Sequence, residues 1–147
     1  HVSLTVIGSG TAYEKVNEIT KNIKSIKLMN GLPQDKLAEH YSSFDFFIFP
    51  SHHESLGLAP IESLMCGTPV ICSTIGAAKD YIKEDLSSFS FEPGNTEELL
   101  TGLNKAVLIN PKRYRELVSL GCCIAREYES KKVIDELLSF FKDRFDI

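Results

Sequence analysis

The strongest constraint on the fold of this chain is an alternation. Runs rich in β-branched and aromatic residues, "SLTVIG", "SIKLM", "FDFFIF", "PVICS" and "SFSFE", read as five strands. Between them stand "AYEKVNEITKN", "PQDKLAEHYS", "APIESLMCG" and the short "AKDYIKE", which read as helices. Strand and helix taking turns along a chain favour a parallel sheet, because parallel neighbours need crossover connections and those crossovers cover both faces. The expected class is therefore α/β, with helices on both sides of the sheet.

After Pro93-Gly94 the pattern changes. Thr96 is expected to cap a helix that carries Leu99, Leu103, Ala106 and Val107 on one face. Pro111 is expected to open the next helix at its first position, where the missing N–H costs nothing. A last helix is expected from near Ser130, stacking Val133, Leu137, Phe140 and Phe141 at helical spacing and ending in "KDRFDI". A length of 147 residues with 43% hydrophobic residues and nine Phe suits one domain with a full core, residues 1–147. An open parallel sheet that starts with a strand at residue 3 lacks the leading strand and helix that cover one side. The expectation is a piece of a larger protein.

Charge and cysteine usage exclude several classes. A net charge of -4 with scattered lysines argues against a nucleic-acid surface, which needs clustered Lys and Arg. No apolar run reaches the roughly 18 to 20 residues of a membrane span, and "HVSLTVIG" has no signal-peptide layout. The four cysteines, Cys66, Cys72, Cys122 and Cys123, form no C-x-x-C pair; Cys66 and Cys72 are expected to behave as small buried hydrophobes. A reducing, cytoplasmic setting is expected, with any membrane association peripheral and through a missing half.

The chemistry concentrates in "FDFFIFPSHHESLGLAPIESL". Ligands of open parallel sheets bind beyond the carboxyl ends of the strands, where loops and helix N-termini converge. Here the apolar strand ends at Phe49 and Pro50, the loop carries Glu54 and Gly57, Pro60 is expected near the first helical position, and Glu62 in the first turn. Unpaired N–H groups around Leu56, Gly57, Leu58 and the helix start can take an anion such as a diphosphate, helped by the helix dipole. Gly57 lets backbone approach a ligand closely. Carboxylates on either side of that anion site suit a ligand with hydroxyls on both sides of a phosphate, since an ionised Glu accepts from adjacent hydroxyls. A nucleotide sugar has that shape. A glutamate in a first helical turn is also common simply because it offsets the dipole.

Glu54-"SLGLAPI"-Glu62 after an apolar strand resembles the signature of the retaining, GT-B-fold glycosyltransferases of family 4. The likeness extends over roughly residues 3–107: "LTVIGSG" is similar to that family's strand and glycine turn, and "IKLMNGLPQDKLAEHYSSFDFFIFPS" to its next strand, helix and strand. "IESLMCGTPVICSTIGAAKDYI" is similar to the following helix, the Gly-Thr-Pro-Val strand and the glycine loop. The resemblance implies a Rossmann-like, carboxyl-terminal donor-binding half of a GT-B fold without its first strand-helix unit. It implies that Glu54 contacts hydroxyls of the transferred sugar near the reacting carbon and is the catalytic residue. Backbone amides of Ser55, Leu56, Gly57 and Leu58 would meet sugar and diphosphate, Glu62 would hold the ribose hydroxyls, and the turn from Met29 at residues 29–31 would edge the base. The implied ligand is a UDP- or GDP-linked sugar, with no metal and no further cofactor, and the implied partner is an absent N-terminal acceptor-binding domain. The chain departs from the family in having Ser9 for the usual aspartate, and Ile75 and Asp80 for the usual second glycine and glutamate of the glycine loop. The basic pair that meets the diphosphate falls in the absent unit.

Other motifs are weaker. His52 and His53 are adjacent in a strand-like segment, so they point to opposite faces and suit one metal ion poorly, with no third ligand at zinc-like spacing. "GSG" at residues 8–10 lacks a third glycine and an acidic residue at the end of the next strand, which leaves little of a dinucleotide fingerprint. No G-x-S-x-G elbow occurs. The competing class is a non-catalytic nucleotide-binding or interaction module that keeps the fold. An unrelated doubly wound phosphate-binding domain ranks last.

Overall fold

The computed structural model describes residues 1–82, 86 and 89–145. The chain gathers into two compact units, His1–Glu39 and His40–Ile147. In the first, β1 (Leu4–Ile7) and β2 (Ile26–Met29) pair in parallel from Leu4 with Ile26 to Ile7 with Met29. Helix α1 (Tyr13–Thr20) makes the crossover between them, and α2 starts at Gln34 and ends at Ser43. The alternation of strand and helix has produced the parallel pair that it favours.

In the second unit β3 (Phe47–Phe49) pairs in parallel with β4 (Val70–Cys72), Phe47 opposite Val70 and Phe49 opposite Cys72, with α3 (Leu58–Met65) as the crossover. All three β4 residues are buried, which is why "VIC" shows no polar alternation. Then follow α4 (Ala78–Tyr81), α5 (Thr96–Val107), α6 (Pro111–Arg126) and α7 (Ser130–Phe145). Ile61 and Leu64 of α3, the three β4 residues, Tyr81 of α4 and Leu117 and Ala125 of α6 form one apolar core. Helices α3 and α6 meet closely within it: a Cβ placed on Gly121 of α6 would sit 2.6 Å from Cδ2 of Leu64, so any larger residue would require the Leu64 side chain to shift.

Polar ties hold the turn between α3 and β4. The Thr68 hydroxyl, 2% exposed, donates to the Tyr41 carbonyl at 2.5 Å, and the Ser63 hydroxyl donates to the Thr68 carbonyl at 3.0 Å. These bonds join the end of α2 to the start of β4 across the core edge. Among the described residues no buried side-chain nitrogen or oxygen lacks a partner. Cys72 is buried and its thiol is pushed up to about 12 by that burial, so it stays protonated and unreactive at neutral pH, as a buried apolar cysteine should. Cys66 is only half-buried.

Several local expectations are corrected. Among the described residues the strands form two two-stranded parallel sheets, and "SFSFE" supplies no strand: Phe91 makes one parallel bridge to Ser73 before the turn in which the Asn95 N–H bonds to the Glu92 carbonyl. Ser88 of that run, Lys83 and Glu84 of "AKDYIKE", and the last two residues of "KDRFDI" lie outside the described residues. Asn95 caps α5, its side chain accepting from the Glu98 N–H at 3.1 Å; Asn in extended backbone serves this role well and displaces Thr96 into the helix. Val107 is 57% exposed, because only Leu99, Leu103 and Ala106 of that face reach the core. Pro111 starts α6 as expected, with Asn110 as its cap. Helix α7 forms where the spacing placed it, yet its apolar stripe lies at the surface, with Phe140 60% exposed.

The buried Thr68 hydroxyl yields a first prediction. Thr68→Val keeps shape but leaves the Tyr41 carbonyl without this donor, and should lower unfolding free energy by about 1 to 3 kcal/mol. Urea unfolding followed by circular dichroism measures it, and an unchanged midpoint would show that the bond contributes nothing.

Candidate functional site

Parallel pairing sends the chain out of β3 and β4 at the same end, so the loops at residues 50–57 and 73–77 share one edge of this unit. Their backbones are tied together. The Ser73 hydroxyl, 1% exposed, donates to the Ser51 carbonyl at 2.6 Å, and the Ser73 N–H donates to the Phe49 carbonyl at 3.1 Å. Further along, the Ala77 N–H donates to the Ser55 carbonyl at 3.1 Å. Gly76 stands against the same stretch with φ +56, where a Cβ would run into the Glu54 carbonyl and come within 3.0 Å of the Ser55 carbonyl.

Gly57 closes the loop and caps α3 at φ 72, a left-handed conformation that glycine adopts without penalty. The Tyr81 hydroxyl donates to its carbonyl at 3.4 Å and would be 3.0 Å from a Cβ on Gly57. Burial first, then Cys72, Tyr128 and Glu54, hold this phenol well above its ordinary range, so its oxygen keeps the proton and remains a hydrogen-bond donor. Burial, then Glu62 and Cys66, raise Tyr41 in the same way.

The residues singled out from the sequence fall as follows. Glu54, Ser55, Leu56 and Leu58 are exposed, Gly57 is buried, and Glu62 is partly buried on α3. They form one run at the carboxyl end of β3. Helix α3 begins at Leu58, so Pro60 is its third residue and Glu62 its fifth, which puts Glu62 in the second turn where the sequence suggested the first. The left-handed Gly57 starts the helix early and produces that displacement. Pro60 is tolerated there because the first N–H groups of a helix have no intrahelical partner. Met29 ends β2 in the unit His1–Glu39. That unit also carries an apolar concavity of about 180 Å³ beside Gly8, Ser9 and Gly10, walled by Val6, Val16 and Leu28. His52 and His53 are exposed, and among the described residues no three His, Cys, Asp or Glu side chains gather in a way that could hold a metal ion.

Ser73, Gly76, Ala77 and Tyr81 support the loop and were not assigned roles from the sequence. The glycine in "STIGAAKDYI" was the available signal for the turn. Nothing in the spacing could show that a tyrosine four residues beyond Ala77 reaches back to Gly57.

Chemically, the segment offers an exposed carboxylate, N–H groups at the start of a helix of eight residues, and a second carboxylate on that helix. Such a set has the donors and acceptors that an anion flanked by hydroxyl groups would need. The fold is the α/β, Rossmann-like arrangement of the GT-B glycosyltransferases: a sucrose-phosphate synthase from Thermosynechococcus elongatus superposes with a TM-score of 0.81 at 20% identity, covering 98% of this chain and 39% of that one. HepE from Anabaena, solved in complex with UDP, superposes at 0.73 with 20% identity, covering 94% of this chain and 41% of its own. Residues 1–119 match the family described as glycosyl transferases group 1, and the chain belongs to that family. The sulfoquinovosyl transferase of Arabidopsis thaliana is 30% identical over 131 residues, which is 87% of this chain and 24% of that protein. The chain thus spans about a quarter of that relative's length. No described helix is long and apolar enough to cross a membrane.

The support under the loop is open to test. Gly76→Ala demands a side chain at φ +56 and pushes it into the backbone of Glu54 and Ser55, and should cost more than the ~1 kcal/mol of an ordinary left-handed alanine. Denaturant titration checks this, and an alanine variant as stable as the parent would mean that the loop yields freely.

Proposed function

We propose that this chain is the donor-binding half of a retaining hexosyltransferase of the family-4 type, acting on a UDP- or GDP-linked sugar. The observation that carries it is the continuous run from Glu54 through the N–H groups of residues 55–58 to Glu62, set at the carboxyl end of β3 in a member of the group 1 family. The UDP complex of HepE supports a nucleoside diphosphate as the anion. In this reading the amides of Ser55, Leu56, Gly57 and Leu58, with the α3 dipole, take the diphosphate and the edge of the sugar. Glu62 accepts from the ribose hydroxyls, and Glu54 holds hydroxyls of the transferred hexose beside its reacting carbon.

The step itself needs little from a side-chain base. The acceptor oxygen forms a bond to the anomeric carbon on the face from which the diphosphate leaves, the carbon–oxygen bond to the diphosphate breaks, and the departing phosphate oxygen takes the acceptor's proton. Configuration is retained. The protein positions the partners and stabilises charge on the leaving group, with the exposed Glu54 placed where positive charge develops on the sugar. Amides and a helix dipole supply the counter-charge without a metal ion. The acceptor is bound by the part of the protein that lies outside this chain, and the 147-residue chain alone is expected not to transfer sugar.

The two carboxylates should separate in experiment. Glu62→Ala should weaken UDP or GDP binding by about 1 to 3 kcal/mol, since it removes acceptors for ribose hydroxyls that desolvate on binding. Glu54→Ala should leave the bare nucleoside diphosphate bound as before and lower the transfer rate of the enzyme that includes the acceptor-binding part. Calorimetry in chelator and with magnesium should give equal affinities. Undiminished affinity and turnover in both variants, or binding that requires the metal, would end this reading.

A further inference from the structure

Three consecutive features of one short segment engage three carbonyls of the loop that carries the candidate site. Gly76 abuts the Glu54 carbonyl, the Ala77 N–H donates to the Ser55 carbonyl, and the Tyr81 hydroxyl donates to the Gly57 carbonyl. The described peptide bonds are all trans. In a planar trans peptide the N–H points opposite to the C=O that precedes it. With the carbonyls of Glu54, Ser55 and Gly57 turned towards the segment 76–81, the N–H groups of Ser55, Leu56 and Leu58 point away from it. Among the described residues none of these three N–H groups donates to a backbone carbonyl.

Tyr81 differs from the other two contacts because it acts through a side chain buried in the core. It is 1% exposed, belongs to the apolar core, and meets the ring of Tyr128 edge-on at 6.0 Å. Close packing leaves such a ring a single position, so the hydroxyl is a fixed point against which Gly57 is set. The core thereby dictates where the first amide of α3 aims.

We propose that Tyr81 is a positioning residue: its hydroxyl, anchored in the core, holds the Gly57 carbonyl and so aims the Leu58 amide, beside the Ser55 and Leu56 amides set by Gly76 and Ala77, at the diphosphate of the sugar donor. This assignment rests on the donor-site reading above. Tyr81 touches no reacting atom and works only through the loop.

Tyr81→Phe fills the same space without the oxygen and tests this in the full 147-residue chain, with Tyr114→Phe as a control. Tyr114 is a partly buried tyrosine whose ring meets Phe46, away from the loop. Without ligand, amide spectra of Tyr81→Phe should show chemical-shift changes at Leu58 and its neighbours Leu56 and Gly57, and Tyr114→Phe should not. Titration with UDP should show a roughly two- to tenfold loss of affinity in Tyr81→Phe alone, the scale of one net hydrogen bond. Loop amides that match the parent, or UDP affinity unchanged beside a parent that binds, overturn the proposal. A parent that binds neither UDP nor GDP while the amide shifts appear removes the donor-site reading and leaves the positioning of the loop established.

Discussion

The site depends on the contact between Leu64 of α3 and Gly121 of α6. With no Cβ at Gly121, α3 settles directly onto α6 and buries Pro60, Ile61, Ser63 and Leu64 on one side. That placement fixes where α3 lies, Gly57 fixes where it begins, and its first turn is where unpaired N–H groups emerge. The Cys122 thiol adds a weak bond to the Leu64 carbonyl at 3.3 Å along the same seam. Glu62, between the buried Ile61 and Ser63, is thereby kept on the side of the helix that is only partly covered. A helix free to roll on the sheet would carry its carboxylate out of line with the loop.

A second constraint works at the strand ends. The parallel register of β3 and β4 brings two loops to one edge, and the second serves as a backing for the first. Ser73 fixes the start of the Glu54 loop, Ala77 its middle and Tyr81 its end. Each contact is made to a carbonyl, so the N–H groups remain available on the other side. A loop held this way gains from rigidity as a binding element, because less ordering cost is left to be met when a ligand arrives.

The two constraints share one core. Tyr81, Leu64 and the β4 residues belong to a single apolar cluster, so the helix that presents the amides and the tyrosine that aims them are set by the same packing. Substitutions that loosen this cluster act on stability and on the site together. Glu54, by contrast, is exposed and lies outside that cluster.

How much of this was legible in the sequence follows from which forces are local. Helix α6 opens at Pro111 and α7 near Ser130 because caps, proline and apolar spacing act over a few residues. The parallel pairs follow from the alternation of strand and helix, and the Glu54 to Glu62 run was visible because one loop and one helix start carry it. The tertiary structure alone decided the rest. Phe91 makes one bridge where a strand was expected, the left-handed Gly57 starts α3 early enough to move Glu62 into its second turn, and the α7 stripe stays exposed. Tyr81 reaches Gly57 across a separation of 24 residues. Periodicity reports which side of an element is apolar, but the partner that meets it, and the backbone groups that a buried hydroxyl can reach, depend on close packing between segments far apart in the chain.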